Sequence, residues 1–455
     1  MAHVKDMTVG NPLPLIVKFS IPLILGNLLQ QTYSLIDAAI VGQFLGINAL
    51  AAVGASSSVT FLILGFCTGC CGGFGIPVAQ KFGAHDYLTM RRLVSVSMKL
   101  STWISVGLAV ITSLLCATIL RWMQTPEAIM DGAHSYLLII FIGIPCSFFY
   151  NLLSSIIRAL GDSKTPFYFL VFSTILNVIL DLLFILVFQW GVAGAAIATV
   201  AAQGVSALLC YRYMYRKFEI LHTDAEDRKF RWDLAKQLLM IGTPMGLQFS
   251  ITAIGSIMIQ SANNALGTTC VAAYTASVRI EMIFICIVES LGIAMATYCG
   301  QNYGAGKPER IWQGVKSAGK LTFFYVVFVN LVLWSFSENF ASLFVHSGEL
   351  EVIEKTALYM HITACFFPLL GILCILRYSI QGAGYTQLAM FSGVAEMIAR
   401  VLVSVVAVPI WGFYAVCFGD AMAWVFADIF LIPAFIYVYR RLKLIVAEPM
   451  PQQVQ

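Results

Sequence analysis

Charge is scarce along this chain: Asp, Glu, Lys and Arg together make up 11% of its 455 residues, against 59% hydrophobic. No soluble core could use so much apolar sequence, so the deficit excludes an ordinary water-soluble domain and describes a polytopic membrane protein. Metal and redox signatures are missing too. The six histidines (His3, His85, His134, His222, His346 and His361) form no His-x-x-x-His pair, and the 12 cysteines show no paired framework in outer loops, so no disulfides are implied. Cys67-Thr68-Gly69-Cys70-Cys71 has redox-like spacing, but it lies among Gly and small residues with no nearby His, a composition for close helix packing. A Gly-x-x-x-x-Gly-Lys phosphate loop is absent, which argues against an ATP-driven pump. A lipid-modifying enzyme would need a nucleophile, His or metal cluster at an interface, and none is present. Neither enzymatic activity nor a cofactor is expected.

What is present is a series of apolar runs long enough to span roughly 30 Å of hydrocarbon. They fall near 15 to 40, 50 to 78, 93 to 120, 133 to 157, 166 to 188, 191 to 214, 238 to 264, 272 to 298, 318 to 344, 356 to 380, 387 to 409 and 413 to 438. The expectation is an all-α membrane protein of twelve transmembrane helices, with kinks at Pro22, Pro145, Pro244 and Pro368. The opening MAHVKDMTVGNPLP has no h-region and no small-residue cleavage site, so a removable signal peptide is not expected.

Of the 27 Lys and Arg, 23 fall with the termini and the loops on their side, only Arg121 and Lys355 fall opposite, and Arg279 and Arg400 lie within spans. The positive-inside rule then places both termini in the cytoplasm. The formal net charge of +4 is a topology signal, not a nucleic-acid footprint. The mixed-charge stretch Tyr215 to Lys236 reads as a solvated cytoplasmic linker. It divides an amino-terminal six-helix lobe (1–214) from a carboxy-terminal one (237–440), followed by a cytoplasmic tail (441–455).

The lobes are copies. Sliding the chain by 221 residues brings Gly46 onto Gly267, Ala55-Ser56 onto Ala276-Ser277, Gln80 onto Gln301, Gly161 onto Gly382, Thr165 onto Thr386 and Trp190-Gly191 onto Trp411-Gly412. Copies with an even number of spans share one orientation, which gives two parallel six-helix repeats enclosing a cleft.

The fifth span, Pro166 to Phe188, carries Asn177 and Asp181 four residues apart on one helix face. A carboxylate at bilayer depth costs roughly 3 kcal/mol on insertion scales, so it is seldom kept without use. Together the two offer an oxygen-rich half-site for a proton or a small monovalent cation; the alternative is a polar pair that glues two helices. Asp37 of the first span and Thr199 of the sixth lie at similar depth, about two turns from the same end.

The paired stretches Ala79-Gln80-Lys81-Phe82-Gly83-Ala84 and Gly300-Gln301-Asn302-Tyr303-Gly304-Ala305, with FSIPLILGNLLQQTYSLIDAAIVG near the start, resemble the multidrug and toxic compound extrusion (MATE) transporters, and more closely the bacterial DinF-like branch. The resemblance covers essentially the whole chain. It implies a multi-pass antiporter of the bacterial inner membrane, exporting amphipathic, often cationic compounds against sodium ions or protons. It also implies that Asp37, Asn177, Asp181 and Thr199 form the coupling site, for sodium or for protons. A lipid-linked oligosaccharide flippase of the same superfamily is the alternative. The expected partners are a small organic substrate and the bilayer, with no nucleic acid, and the protein is expected to be monomeric.

The second half is not a functional copy. By the 221-residue offset Met258 stands opposite Asp37, Ile398 opposite Asn177 and Leu402 opposite Asp181, while Asp420 stands opposite Thr199. A possible second polar site is Glu281 and Glu289 on the eighth span, Glu396 and Arg400 on the eleventh and Asp420 on the twelfth, with Arg279 and Asp428 nearby. Glu396 with Arg400, four apart, can be a structural pair. Some proton-coupled relatives carry a Glu on the seventh span, but here no acid occurs between Lys236 and Tyr274.

These readings place residues 215–236 in the cytoplasm and Thr125 to Asp131 and Ser347 to Glu354 outside. Membrane-impermeant thiol labelling of intact cells is expected to reach a cysteine introduced at Ser347 and to miss one at Thr223; the reverse pattern inverts the topology.

Overall fold

The computed structural model describes residues 5–123, 125–342 and 349–447. Ser347, His3, His346 and the tail beyond Ala447 lie outside the described residues. A backbone in hydrocarbon has no water to bond, so each N–H and C=O must find a partner within its own segment. The described chain accordingly runs as α1 (Pro12–Leu45), α2 (Ile47–Gly83), α3 (Tyr87–Trp122), α4 (Glu127–Ile142), α5 (Ile144–Ala159), α6 (Lys164–Leu182), α7 (Gly191–Lys217), α8 (Trp232–Asn264), α9 (Thr268–Gly304), α10 (Pro308–Ser342), α11 (Leu350–Gly382), α12 (Thr386–Leu402), the short α13 (Val408–Trp411) and α14 (Phe413–Val416), and α15 (Gly419–Ala447). No strand occurs among the described residues.

Among the described residues, eleven helical spans are long and apolar enough to cross a membrane, and α4 with α5 makes a twelfth, bent by 46°. That bend sits where Gly143 is followed by Pro145, the second residue of α5, whose missing N–H leaves the ladder open. Pro22, Pro244 and Pro368 lie inside the continuous helices α1, α8 and α11.

Two compact units form: Met1–Asp6 with Ile21–Ser250, and Met7–Ser20 with Ile251–Gln455. These bounds differ from a division in chain order, because the start of α1 belongs to the second unit and the first half of α8 to the first. Within the second unit the reason is visible at the duplicated Gln motif. Gln301 Oε1 accepts from the Met7 N–H at 2.8 Å, Asn302 Nδ2 donates to the Met7 carbonyl at 3.2 Å, and Arg310 donates to the carbonyls of Met7 and Gly10 at 3.2 and 2.9 Å. Gln301, Asn302 and Met7 are all fully buried. A bent segment outside any helix satisfies its backbone this way.

Residues 215–236 are more ordered than a solvated tether. Asp227, 2% exposed, sits against the guanidinium groups of Arg91 and Arg92 of α3 at 3.2 and 3.1 Å, and Phe230 packs on Trp103 with ring centroids 4.9 Å apart. At the other end of the chain α15 continues to Ala447, so the first residues of the expected tail are helical.

The copies correspond element by element, but not at one offset. Gly46 and Gly267 both precede a helix with φ of 86° and 99°, and α2 and α9 start and end 221 residues apart. The pair α4–α5 and its counterpart α11 start and end 223 apart, and the left-handed glycine beyond them is Gly161 in one copy and Gly384 in the other. The fixed 221 register is therefore corrected over this span: Gly384, not Gly382, is the counterpart of Gly161. By Gly191 and Gly412, with φ of 60° and 56°, the offset is 221 again.

The Cys67–Cys71 stretch is a packing surface. All twelve cysteines are free, and Cys67, Cys70 and Cys71 are buried beside glycines that touch α8. A Cβ on Gly73 would come within 2.5 Å of the Gly242 Cα, so the two backbones meet directly. Gly107 of α3, in contrast, has nothing within 4 Å of such a Cβ. Gly73→Ala is expected to lower thermal stability by about 1 to 3 kcal/mol through overpacking. Gly107→Ala is expected to be neutral or to stabilise by about 0.5 to 1 kcal/mol. Melting of the purified variants in detergent measures both.

Candidate functional site

The first unit assembles its polar cluster from α1, α4, α6 and α7. Helix α6 is launched by Asp162, whose Oδ1 accepts from the N–H groups of Lys164 and Thr165 at 3.0 and 3.1 Å and whose Oδ2 accepts from the Thr165 and Tyr213 hydroxyls at 2.7 and 3.1 Å. An acid at this position satisfies the otherwise orphaned first-turn donors and fixes where the helix begins. Further along, one face of α6 buries Ser173, Asn177 and Asp181. Directly after Leu182 the helix widens into a π-helical turn, Leu183–Val187, an irregularity common at functional sites. Ile185 of that turn packs with Val41 of α1 and Ala195 of α7.

Thr199 is the hub of this cluster. Its Oγ1 accepts from Asn177 Nδ2 at 3.3 Å, donates to the Ala195 carbonyl at 3.1 Å and lies 3.4 Å from the Tyr33 hydroxyl of α1. Asp181 is fully buried and Asp37 half-buried, and their carboxyl groups lie close to each other. Tyr136 of α4 stands within electrostatic reach of both. The structure thus brings together Asp37, Asn177, Asp181 and Thr199, and it adds Tyr33 and Tyr136. Two neighbouring carboxyls in so buried a place repel each other when both are ionised, so the pair can hold and release a proton. The oxygens of the same four residues are hard donors suited to a small monovalent cation.

The second unit holds a different network. Arg400 of α12 reaches Asp420 of α15 at 2.8 Å and Glu396 at 3.7 Å, and Arg377 of α11 pairs with Glu396 and donates to Ser392 Oγ at 3.0 Å. Tyr359 of α11 lies 3.0 Å from both Glu281 of α9 and Asp420. Glu396 with Arg400 is therefore one edge of a larger buried assembly rather than an isolated pair. Arg377, assigned by the charge count to the side of the termini, is 8% exposed and belongs inside it. Arg279 sits on an exposed face of α9 outside this network, and Glu289 is exposed but within electrostatic reach of Arg377. Asp428 is buried, and neither carboxyl oxygen has a hydrogen-bond partner among the described residues.

The sequence profile of the MatE family matches residues 22–183 and 244–406. The chain is 32% identical over 379 residues to the probable multidrug resistance protein YpnP of Bacillus subtilis (strain 168), covering 83% of this chain and 84% of that protein. It is 25% identical to the FAD transporter of Shewanella oneidensis, over 79% of this chain and 80% of that one. Among solved structures, the outward-facing conformation of a multidrug resistance MATE family transporter of the MOP superfamily superposes with a TM-score of 0.89 at 23% identity, covering 98% of each chain.

The Arg377–Glu396 pair, with side chains 10% and 4% exposed, predicts an asymmetry between single and double substitutions. Arg377→Met, which leaves Glu396 underpaired, is expected to destabilise the protein by about 3 to 5 kcal/mol, and Arg377→Met with Glu396→Leu by much less. Thermal unfolding of the two variants and the unmodified protein checks it.

Proposed function

Since the chain belongs to the MatE family of multidrug and toxic compound extrusion (MATE) transporters, we propose that it exports amphipathic, cationic organic compounds in exchange for protons taken up at the Asp37–Asp181 pair. Members of this family are transporters rather than enzymes and need no cofactor. The chain is a multi-pass membrane protein, and we place it in the bacterial inner membrane as a monomer with both termini cytoplasmic.

The observation that supports proton coupling is that the two carboxyls lie close together, with Asp181 fully buried. Two ionised carboxylates at that separation would repel each other, whereas one proton turns the repulsion into a hydrogen bond. Losing that proton leaves like charges side by side on α1 and α6, which favours a conformation that separates them. Gaining it favours closure of α1 on α6. An ion or a drug shifts a conformational balance only by its differential affinity for the two states, so protonation and drug binding must oppose each other by the same factor in both directions. The Thr199 hub holds α1, α6 and α7 in register while the carboxyls change state.

Transport of a fluorescent cation into inverted vesicles, with proton and sodium gradients imposed separately, tests the proposal. A proton gradient is expected to drive uptake, and Asp37→Asn or Asp181→Asn to reduce it about tenfold or more, with the folded protein still in the membrane. Uptake driven by sodium alone would assign the site to sodium. Loss of coupling in Glu396→Gln with Asp37→Asn unaffected would move the coupling site to the second unit.

A further inference from the structure

Glu281 of α9 is 2% exposed and makes no ion pair among the described residues. Its Oε1 has no hydrogen-bond partner there, and its Oε2 is 3.0 Å from the Tyr359 hydroxyl. The same hydroxyl is 3.0 Å from Asp420 Oδ2. A phenol has a single hydrogen, so it can donate to one carboxyl and has to accept from the other; one of the two must be the acid form. Asp420 is gripped by Arg400, whose Nε and Nη2 reach Oδ1 at 2.9 and 2.8 Å, and a guanidinium selects the ionised form. The proton therefore sits on Glu281.

The repeat gives an independent line. At the 223-residue offset shared by both ends of this span, Tyr359 is the counterpart of Tyr136, the tyrosine near the Asp37–Asp181 pair in the first unit. At 221, Asp420 is the counterpart of Thr199, the hub of that pair's cluster. Each unit thus turns a tyrosine from the same span toward two carboxyls. In the first unit these come from α1 and α6, and in the second from α9 and α15.

We propose that Glu281 is a second proton-carrying group of the transport cycle, exchanging its proton with Asp420 through the Tyr359 hydroxyl. Transfer runs as a relay: the Glu281 O–H bond breaks as a new O–H bond forms on the phenol oxygen, and the phenol's own proton passes to Asp420 Oδ2. Glu281 is left ionised and Asp420 neutral, with no net gain or loss of protons until Asp420, which is less enclosed, gives its proton up. The groups facing Glu281 are Tyr359 from α11, Asp420 from α15 and Arg400 from α12, with Tyr274 of its own helix stacked edge-on against Tyr359 at 5.8 Å. Tyr325 of α10, packed on the same helix, gives its hydroxyl to the Phe284 carbonyl at 2.8 Å.

This inference rests on the exporter reading only for its place in a cycle, so the test has two arms. Infrared spectra of the purified full-length protein at neutral pH are expected to show the carbonyl band of a protonated carboxylic acid. One component of that band should be lost in Glu281→Gln and shift in Tyr359→Phe, which keeps the ring and removes the hydroxyl, while the component of the Asp37–Asp181 pair stays. A carboxylate band lost in its place, or no change in either variant, overturns the assignment. In the second arm, protons released on adding the lipophilic cation tetraphenylphosphonium are counted with a pH dye in weak buffer. Release per bound cation is expected to fall by about half in Glu281→Gln. Unchanged release in that variant overturns the role in the cycle even if the infrared band behaves as expected. No release from the unmodified protein counts against the exporter reading and the cycle role together, and the infrared arm still decides where the proton sits.

Discussion

The absence of water from hydrocarbon is the constraint on which the rest of this structure depends. It obliges the backbone to satisfy itself, which yields helices of 33 residues and more, and it penalises every charge that cannot find a partner. The two units meet that penalty differently. In the first, Asp37 and Asp181 lie near each other in the cluster around Thr199; in the second, Arg377 and Arg400 neutralise Glu396 and Asp420 and leave Glu281 to a tyrosine. A shared ancestry in sequence has therefore produced two chemically distinct interiors.

Much of this was legible beforehand because hydrophobicity and its interruptions are local signals. The twelve spans follow from apolar run length. Asp181 and Asn177 stood out because no other acid or amide occupies their helix. Tyr33, Tyr136 and Tyr359 carry no such signal, since a tyrosine in an apolar span is ordinary and only its neighbours in space reveal whether its hydroxyl is used. Arg377 was hidden by its position near the end of a span, where arginines commonly reach back to water. Its partner, Glu396, lies on the next helix, and sequence spacing does not encode that pairing.

The repeat was legible for the opposite reason: it is a pattern over distance. Its fine register was not, because the copies differ by two residues between α10 and α11 and recover the original offset before Gly412. Insertions at turns leave the helices intact and change only which residues correspond. Likewise the Gln301 motif announced itself as a duplicated string, yet its work, holding the backbone of Met7 to Gly10, depends on a segment almost 300 residues away in the chain.

The backbone contact of α2 with α8 at Gly73 and Gly242 carries a consequence for motion. Interlocked side chains act as teeth: two helices joined that way must unmesh before one can move along the other. A stretch in which bare backbones touch has no teeth, and bringing its glycines together freezes no rotamers. Such a seam resists parting, because separation would open a slot in the membrane too narrow to fill well, but it opposes lengthwise shear only weakly. Helix α2 is thus mounted on α8 as on a rail.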